Sequence, residues 1–175
     1  SSSADYVVPP TACIIQEELG LPETCLSIEI KHGCSGWVVG LNSAASLIMG
    51  GCLKRALLLC GDTSTLLHSP FDKETRPLFG DAGSCTALEF DTIASTLEFE
   101  HGTRGKDFKS IYTPVGGCRN AVTAKDLEFI EYGPNQLRRN IDCTMDGMNV
   151  FAFGMSVAPK SVKRLAEKYV LNLEQ

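Results

Sequence analysis

The chain has 175 residues, of which 43% are hydrophobic and 21% charged, with a net charge of −5 at neutral pH. That length suits one domain around a single core, that balance excludes a disordered chain, and the acidic charge argues against a nucleic-acid partner. The longest uninterrupted apolar run, Ala56 to Cys60, falls far short of the ~20 residues of a membrane-spanning helix, and no basic flank precedes an apolar segment as in a signal peptide.

In chain order, Pro10 suits a first helical turn, Ala12, Ile15 and Leu19 recur at helical spacing, and Gly20 sits where helices end, which predicts a helix over about 10–19. Leu26, Ile28 and Ile30 then alternate with Ser27, Glu29 and Lys31, predicting a strand with one dry face, near a sheet edge or an interface. From Ser35 the period changes: Val38, Leu41, Ala45 and Ile48 form a helical stripe that Gly50 and Gly51 stop. The run from Arg55 to Asp62 predicts a short strand of the kind that parallel sheets bury on both faces, so the two strands and the helix between them read as a βαβ unit.

A polar loop follows, punctuated by Pro70 and Pro77. Ser84–Phe90 and Ser95–His101 read as adjacent strands joined at Asp91. Between 102 and 140 only a short helix around Lys125 to Tyr132 is predicted. The closing segment places Val150, Phe153 and Val157 on one stripe and Val162, Leu165 and Tyr169 on another, predicting one long helix bent at Pro159. Lys160, Arg164 and Lys168 lie one turn apart on it, with Lys163 alongside; they form a solvated polar face or a dock for an acidic partner. No low-complexity segment, short repeat or linker interrupts the chain.

The eight cysteines, at 13, 25, 34, 52, 60, 85, 118 and 143, include no C-x-x-C pair and no zinc spacing, so no metal is expected. Those inside apolar runs read as small core hydrophobes, and reduced thiols suit a cytoplasmic protein. Cys34 differs because it stands where the alternating run gives way to the helix. A thiol there faces unpaired backbone N–H groups and the positive end of the helix dipole, both of which favour thiolate. Gly33, Ser35 and Gly36 leave room for a carbonyl to approach, and the same N–H groups can stabilise an oxyanion. A nucleophile and a cysteine buried in a tight turn are both compatible with the spacing.

The segments "SIEIKHGCSGWVVGLNSAASLIMGG", "RALLLCGDTST", "FDKETRPLFGDAGSCTALEF" and "MDGMNVFAFG" resemble the β-ketoacyl-acyl carrier protein synthase III family of the thiolase superfamily. The resemblance implies an α/β, thiolase-like layered fold (αβαβα in the complete family), here partial. Residues 1–145 would form part of the first half, with the nucleophile region, and 146–175 would open the second. It implies a decarboxylating Claisen condensation of an acyl-CoA with malonyl-acyl carrier protein through an acyl-cysteine, initiating fatty-acid synthesis. The partners would be those two substrates and a second copy in a homodimer, with no cofactor and no membrane.

By position, Cys34 matches the acylated cysteine, Phe79 an aromatic residue lining the acyl pocket, and Lys73 a site where relatives often carry an arginine against the coenzyme A adenine. Lysine lacks the planar stacking of that guanidinium. A core aromatic and a solvated loop lysine are the plain alternatives. The family's catalytic histidine and asparagine lie farther into the second half, in a part that has no counterpart here. His32, His68 and His101 all fall upstream of it, and the first strands also lack counterparts, so the chain reads as an internal piece, inactive alone. His32 is read as a packed or interface histidine in preference to a base. The rival readings are a chalcone-synthase-like polyketide or signal-molecule synthase and a non-catalytic thiolase-fold interaction module.

Overall fold

The protein, seen in a computed structural model that describes residues 1–172, divides into two compact units. Ser1–Thr63 with Asp81–Leu97 form the first; Ser64–Gly80 with the chain from Glu98 onward form the second.

In the first unit, helix α1 spans Thr11–Glu18 and helix α2 spans Gly36–Met49, close to the bounds that periodicity predicts. Both stop at glycines: Gly20 and Gly51 adopt φ of +59° and +75°, a left-handed backbone that other residues enter at a cost. Strands β1 (Arg55–Thr63) and β2 (Asp81–Glu89) pair along their whole length, from Arg55↔Glu89 to Thr63↔Asp81. Helix α2 lies on β1 at Gly40, where an added Cβ would stand 2.5 Å from Leu58 Cδ1. Ala45 and Ile48, on the predicted stripe, are buried.

Three strand expectations need correction. The β1–β2 pair is antiparallel, and β1 alternates between half-buried and exposed residues, with Leu57 52% and Leu59 39% exposed. It is not a strand buried on both faces in a parallel βαβ unit, because α2 covers only one side of it. The segment Leu26–Ile30 joins no ladder. It borders a trough of about 1350 Å³ shared with α1 and β1, so no strand lies at the ~4.8 Å that pairing requires. Its polar side makes the attachment: the Glu29 carboxylate accepts the Thr11 N–H at 2.8 Å, at the positive end of α1.

The run Ser95–His101 is likewise no strand, since the chain passes here from the first unit into the second. Its second part is held by side chains: the Phe99 carbonyl accepts from Lys168 Nζ and the Tyr169 hydroxyl, each at 3.1 Å, and Glu100 pairs with Arg164 at 2.9 Å.

In the second unit, β3 (Ile111–Tyr112) pairs with the later strand Thr144–Met145. The helix expected around Lys125–Tyr132 is a single 3-10 turn, Ala124–Leu127, closed by a Thr123–Asp126 capping box. The aromatic and β-branched residues that follow enter strand β4 (Ile130–Gly133). Strand β4 pairs antiparallel with β5 (Gln136–Arg138) across a turn in which Asn135 takes φ of +58°. The Thr144–Met145 strand is β6. Helix α3 (Gly147–Tyr169) starts at Asp146, whose carboxylate accepts the Asn149 N–H at 2.9 Å, and it runs through Pro159.

The cysteines are not core filler. Among the described residues Cys60 and Cys143 are half-buried and the other six exposed, because the faces that carry them are uncovered, and none forms a disulfide. No described helix is long and apolar enough to cross a membrane, and no described group of His, Cys, Asp or Glu side chains is arranged to hold a metal ion.

The contact at Gly40 yields a test. Gly40→Val should lower the unfolding free energy by about 1–3 kcal/mol through overpacking against Leu58, read as a lower urea midpoint. Gly36→Ala, whose Cβ meets only His32 Cβ at 3.6 Å, should stay within about 0.5 kcal/mol. Equal midpoints for wild type and Gly40→Val would mean that α2 can lift off β1 freely.

Candidate active site

Cys34 occupies a turn closed by the Gly36 N–H, which donates to the Gly33 carbonyl at 2.7 Å. Ser35 is the cap residue of α2: its carbonyl accepts the Val39 N–H at 3.0 Å, while its side chain makes no cap bond. Among the described residues no acceptor takes the N–H of Trp37 or Val38. The thiol is exposed, one residue before the cap. The first turn of α2 is tied to the sheet, because Trp37 Nε1 donates to Thr86 Oγ1 of β2 at 3.1 Å.

Chemically this combines an accessible sulfur with unclaimed backbone donors at a helix N-terminus, where negative charge is favoured. Such a site can hold a thiolate and then the oxyanion formed when that thiolate attacks a thioester. Cys13 also lies in a first helical turn, that of α1, but has no glycine neighbour to open it. His32 is exposed, and among the described residues no hydrogen bond or ring contact joins it to Cys34.

Lys73 and Phe79 stand on one loop of the second unit, whereas Cys34 belongs to the first. The loop is built around Asp72, a fully buried carboxylate. Arg138, itself 2% exposed, pairs with it: Nη2 donates to Oδ1 at 2.9 Å, and Nε lies 2.8 Å from Oδ2 in ion-pair contact. The Glu74 N–H donates to Oδ1 at 2.8 Å and the Thr75 hydroxyl to Oδ2. Arg138 Nη2 also reaches Glu74 Oε2 at 2.8 Å, and the guanidinium lies 4.2 Å from the centroid of the Tyr132 ring. Ser69 Oγ fastens the start of the loop to the Leu137 carbonyl.

Burial pushes the Asp72 carboxyl up, but the hydrogen bonds from Arg138, Thr75 and Glu74 and the positive charge outweigh it, leaving it below the ordinary carboxylate range. Burial likewise works against the Arg138 cation, and its two carboxylate partners raise it above the ordinary guanidinium value.

Lys73 is exposed between the two clamped residues. Phe79 is half-buried and stacks on His68, with centroids 4.2 Å apart and planes 15° apart. His68 is buried, and its Nδ1 lies 2.7 Å from the Ser64 carbonyl. The basic stripe of α3 is partly used: Arg164 and Lys168 both pair with Glu100. Sequence reasoning missed Arg138, Asp72, Thr75 and His68. Arg138 meets Asp72 across 66 positions of sequence, so no local pattern announces it.

Residues 28–105 match the family model described as 3-oxoacyl-[acyl-carrier-protein (ACP)] synthase III, a stretch that includes Cys34, Lys73 and Phe79. A Campylobacter jejuni protein with the provisional name 3-oxoacyl-[acyl-carrier-protein] synthase 3 is 32% identical, over 95% of this chain and 47% of its own length. The β-ketoacyl-[acyl-carrier-protein] synthase III of Fusobacterium nucleatum is 29% identical over 99% of this chain and 50% of its own.

A crystal structure of a 3-oxoacyl-(acyl-carrier-protein) synthase III superposes with a TM-score of 0.88 at 32% identity, covering 98% of this chain and 51% of that one. A 3-oxoacyl-(acyl-carrier protein) synthase from Burkholderia xenovorans gives a TM-score of 0.75 at 33% identity, over 94% and 45%. The chain spans about half the length of the relatives it matches.

The Asp72–Arg138 pair carries a pH signature. Because the folded carboxyl titrates below its unfolded value of about 3.9, its contribution is fully present above that pH and is lost as pH falls through the lower folded value. Asp72→Asn should therefore flatten the acid limb of a stability–pH curve below about pH 4. At pH 7 it should cost about 3–5 kcal/mol, because Arg138 is left buried without its partner. An acid limb as steep as that of wild type would remove Asp72 from this role.

Proposed function

The chain belongs to the 3-oxoacyl-[acyl-carrier-protein] synthase III family, with its thiolase-like α/β fold, and on that premise we propose that the whole protein is an acyltransferase that condenses an acyl-CoA with malonyl-acyl carrier protein. The observation that carries this is the exposed Cys34 thiol at the start of α2, beside backbone N–H groups that no described residue claims.

The Cys34 thiolate attacks the thioester carbonyl of the acyl-CoA, a C–S bond forms, and coenzyme A leaves as its thiolate. The negative charge that builds on the carbonyl oxygen falls to N–H donors at the helix start. The resulting acyl-cysteine is attacked by the carbanion released when malonyl-acyl carrier protein loses carbon dioxide. A new C–C bond forms, the C–S bond breaks, and the Cys34 thiolate returns. Phe79 lines the acyl pocket, and Lys73 meets the nucleotide end of coenzyme A as a point charge, without the stacking of an arginine. The histidine and asparagine that serve decarboxylation in relatives belong to a second half, which residues 146–175 open. The reaction needs no cofactor, and the protein works as a cytoplasmic homodimer.

Acetyl-CoA carrying a radiolabelled acetyl group should label the whole protein at the Cys34 peptide. Cys34→Ala should reduce labelling to background with little change in melting temperature, since the residue is exposed. Carrier-bound malonate should be used in preference to free malonyl-CoA. Full labelling of the Cys34→Ala variant, or first modification of Cys60 or Cys85 by brief iodoacetamide treatment, would overturn the assignment. The 175-residue chain alone should give no β-ketoacyl product above an enzyme-free control, because losing even one oxyanion donor costs about 10²- to 10³-fold. Product from it would bring His32 back as a candidate base.

A further inference from the structure

We infer that Arg138 is a positioning residue for recognition of the nucleotide end of coenzyme A: it fixes the loop at 72–75 so that Lys73 is presented to the anionic phosphates. The inference rests on the reading of Lys73 as a coenzyme A contact and adds to it the residue through which that contact is set.

Geometry carries the first part. The residues on either side of Lys73 are both held by one guanidinium, Asp72 through a hydrogen bond from Nη2 and the ion-pair contact of Nε, and Glu74 through Nη2 at 2.8 Å. Asp72 and Thr75 are fully buried, whereas Lys73 between them is exposed. With Asp72 turned inward and the exposed Glu74 held by the same guanidinium, the Lys73 stem has few directions open to it, and an ordered side chain gives up less freedom on binding. The guanidinium is itself pinned, lying on the Tyr132 ring at 4.2 Å and belonging to β5, whose Leu137 carbonyl receives Ser69 Oγ. The clamp thus ties the loop to a hairpin, where a lone surface lysine would wander.

Charge carries the second part. Asp72 and Glu74 place two negative charges beside the one positive charge of Lys73. Left unpaired, they would draw its ammonium back onto the protein and repel a phosphate. Arg138 occupies both carboxylates and leaves the ammonium of Lys73 free to meet an external anion. A lysine suits that task, because it binds phosphate as a point charge and gains little from an adenine face.

The test compares acetyl-CoA with acetyl-pantetheine, which has the same reacting thioester but no nucleotide, in the whole protein. Arg138→Lys keeps the charge and loses the fork. It should raise the KM for acetyl-CoA about five- to tenfold, leave kcat within about twofold, and leave the KM for acetyl-pantetheine unchanged. Lys73→Met should give a similar rise for acetyl-CoA alone, and adding Arg138→Lys to it should produce no further rise. Tyr132→Leu, at a residue 62% exposed, loosens the guanidinium and should raise the KM for acetyl-CoA about two- to threefold. A rise for Lys73→Met without one for Arg138→Lys or Tyr132→Leu overturns the role of Arg138 and leaves the lysine contact standing. No rise for Lys73→Met overturns the contact itself and the inference with it. Parallel rises for both substrates would reduce Arg138 to a general structural support.

Discussion

Helix α2 can lie directly on β1 because residue 40 has no side chain. A Cβ at that position would reach to 2.5 Å of Leu58, so any larger residue either lifts the helix or displaces the leucine. That contact sets where the first turn of α2 stands relative to the sheet, and the Trp37–Thr86 hydrogen bond sets it a second time from the helix end. Two attachments at different heights leave the start of the helix little freedom to tilt. The backbone donors near Cys34 are therefore held in one direction by the fold itself, which is the condition under which such donors are worth most.

The second unit achieves rigidity by other means. Among its described buried residues are Ser69, Asp72, Thr75, Arg138 and Asp142, so ion pairs and hydrogen bonds do there what apolar packing does under α2. A buried pair of this kind adds little net stability compared with a well-packed apolar replacement, yet removing one partner is expensive. Its geometry is also specific: the Asp72 carboxylate accepts from Arg138 Nη2, the Glu74 N–H and the Thr75 hydroxyl together, which leaves it one way to sit. Apolar side chains, by contrast, remain in the open, among them Leu57 on β1 and Met148, Phe151 and Met155 on α3. Surfaces of that character are what further packing covers, in keeping with a chain that spans about half the length of its relatives.

The three helices were legible because each carries an apolar period, to which α1 and α2 add a terminator, Gly20 for the first and Gly50 and Gly51 for the second. Strand pairing was not legible. The run from Ala56 to Cys60 says that a strand is apolar on both sides, but not which sides are covered, nor whether its neighbour runs parallel. Leu26 to Ile30 alternates as a strand should, yet a ladder needs a second backbone, and the trough beside it supplies none. At the site, the Cys34 junction was readable from a change of period within a dozen residues. The Arg138 clamp was not, because its members lie 66 positions apart and look like ordinary surface charges in the sequence.

The order of the chain through the two units has a consequence for how the protein is made. It finishes β1 at Thr63, contributes Ser64–Gly80 to the second unit, returns for β2, and leaves the first unit at Leu97. A ribosome releasing residues from the N-terminus can therefore let β1 and β2 zip together soon after Leu97 emerges. The intervening loop, tethered at both ends, must wait: Asp72 has no cation and Ser69 no carbonyl until Leu137 and Arg138 have been translated. During that interval a carboxylate destined for full burial remains in water, hydrated and negative. The nascent chain thus assembles the cysteine turn first and the loop at 72–75 later, and a pause in elongation before Leu137 would lengthen the time for which the second is open to proteases and chaperones.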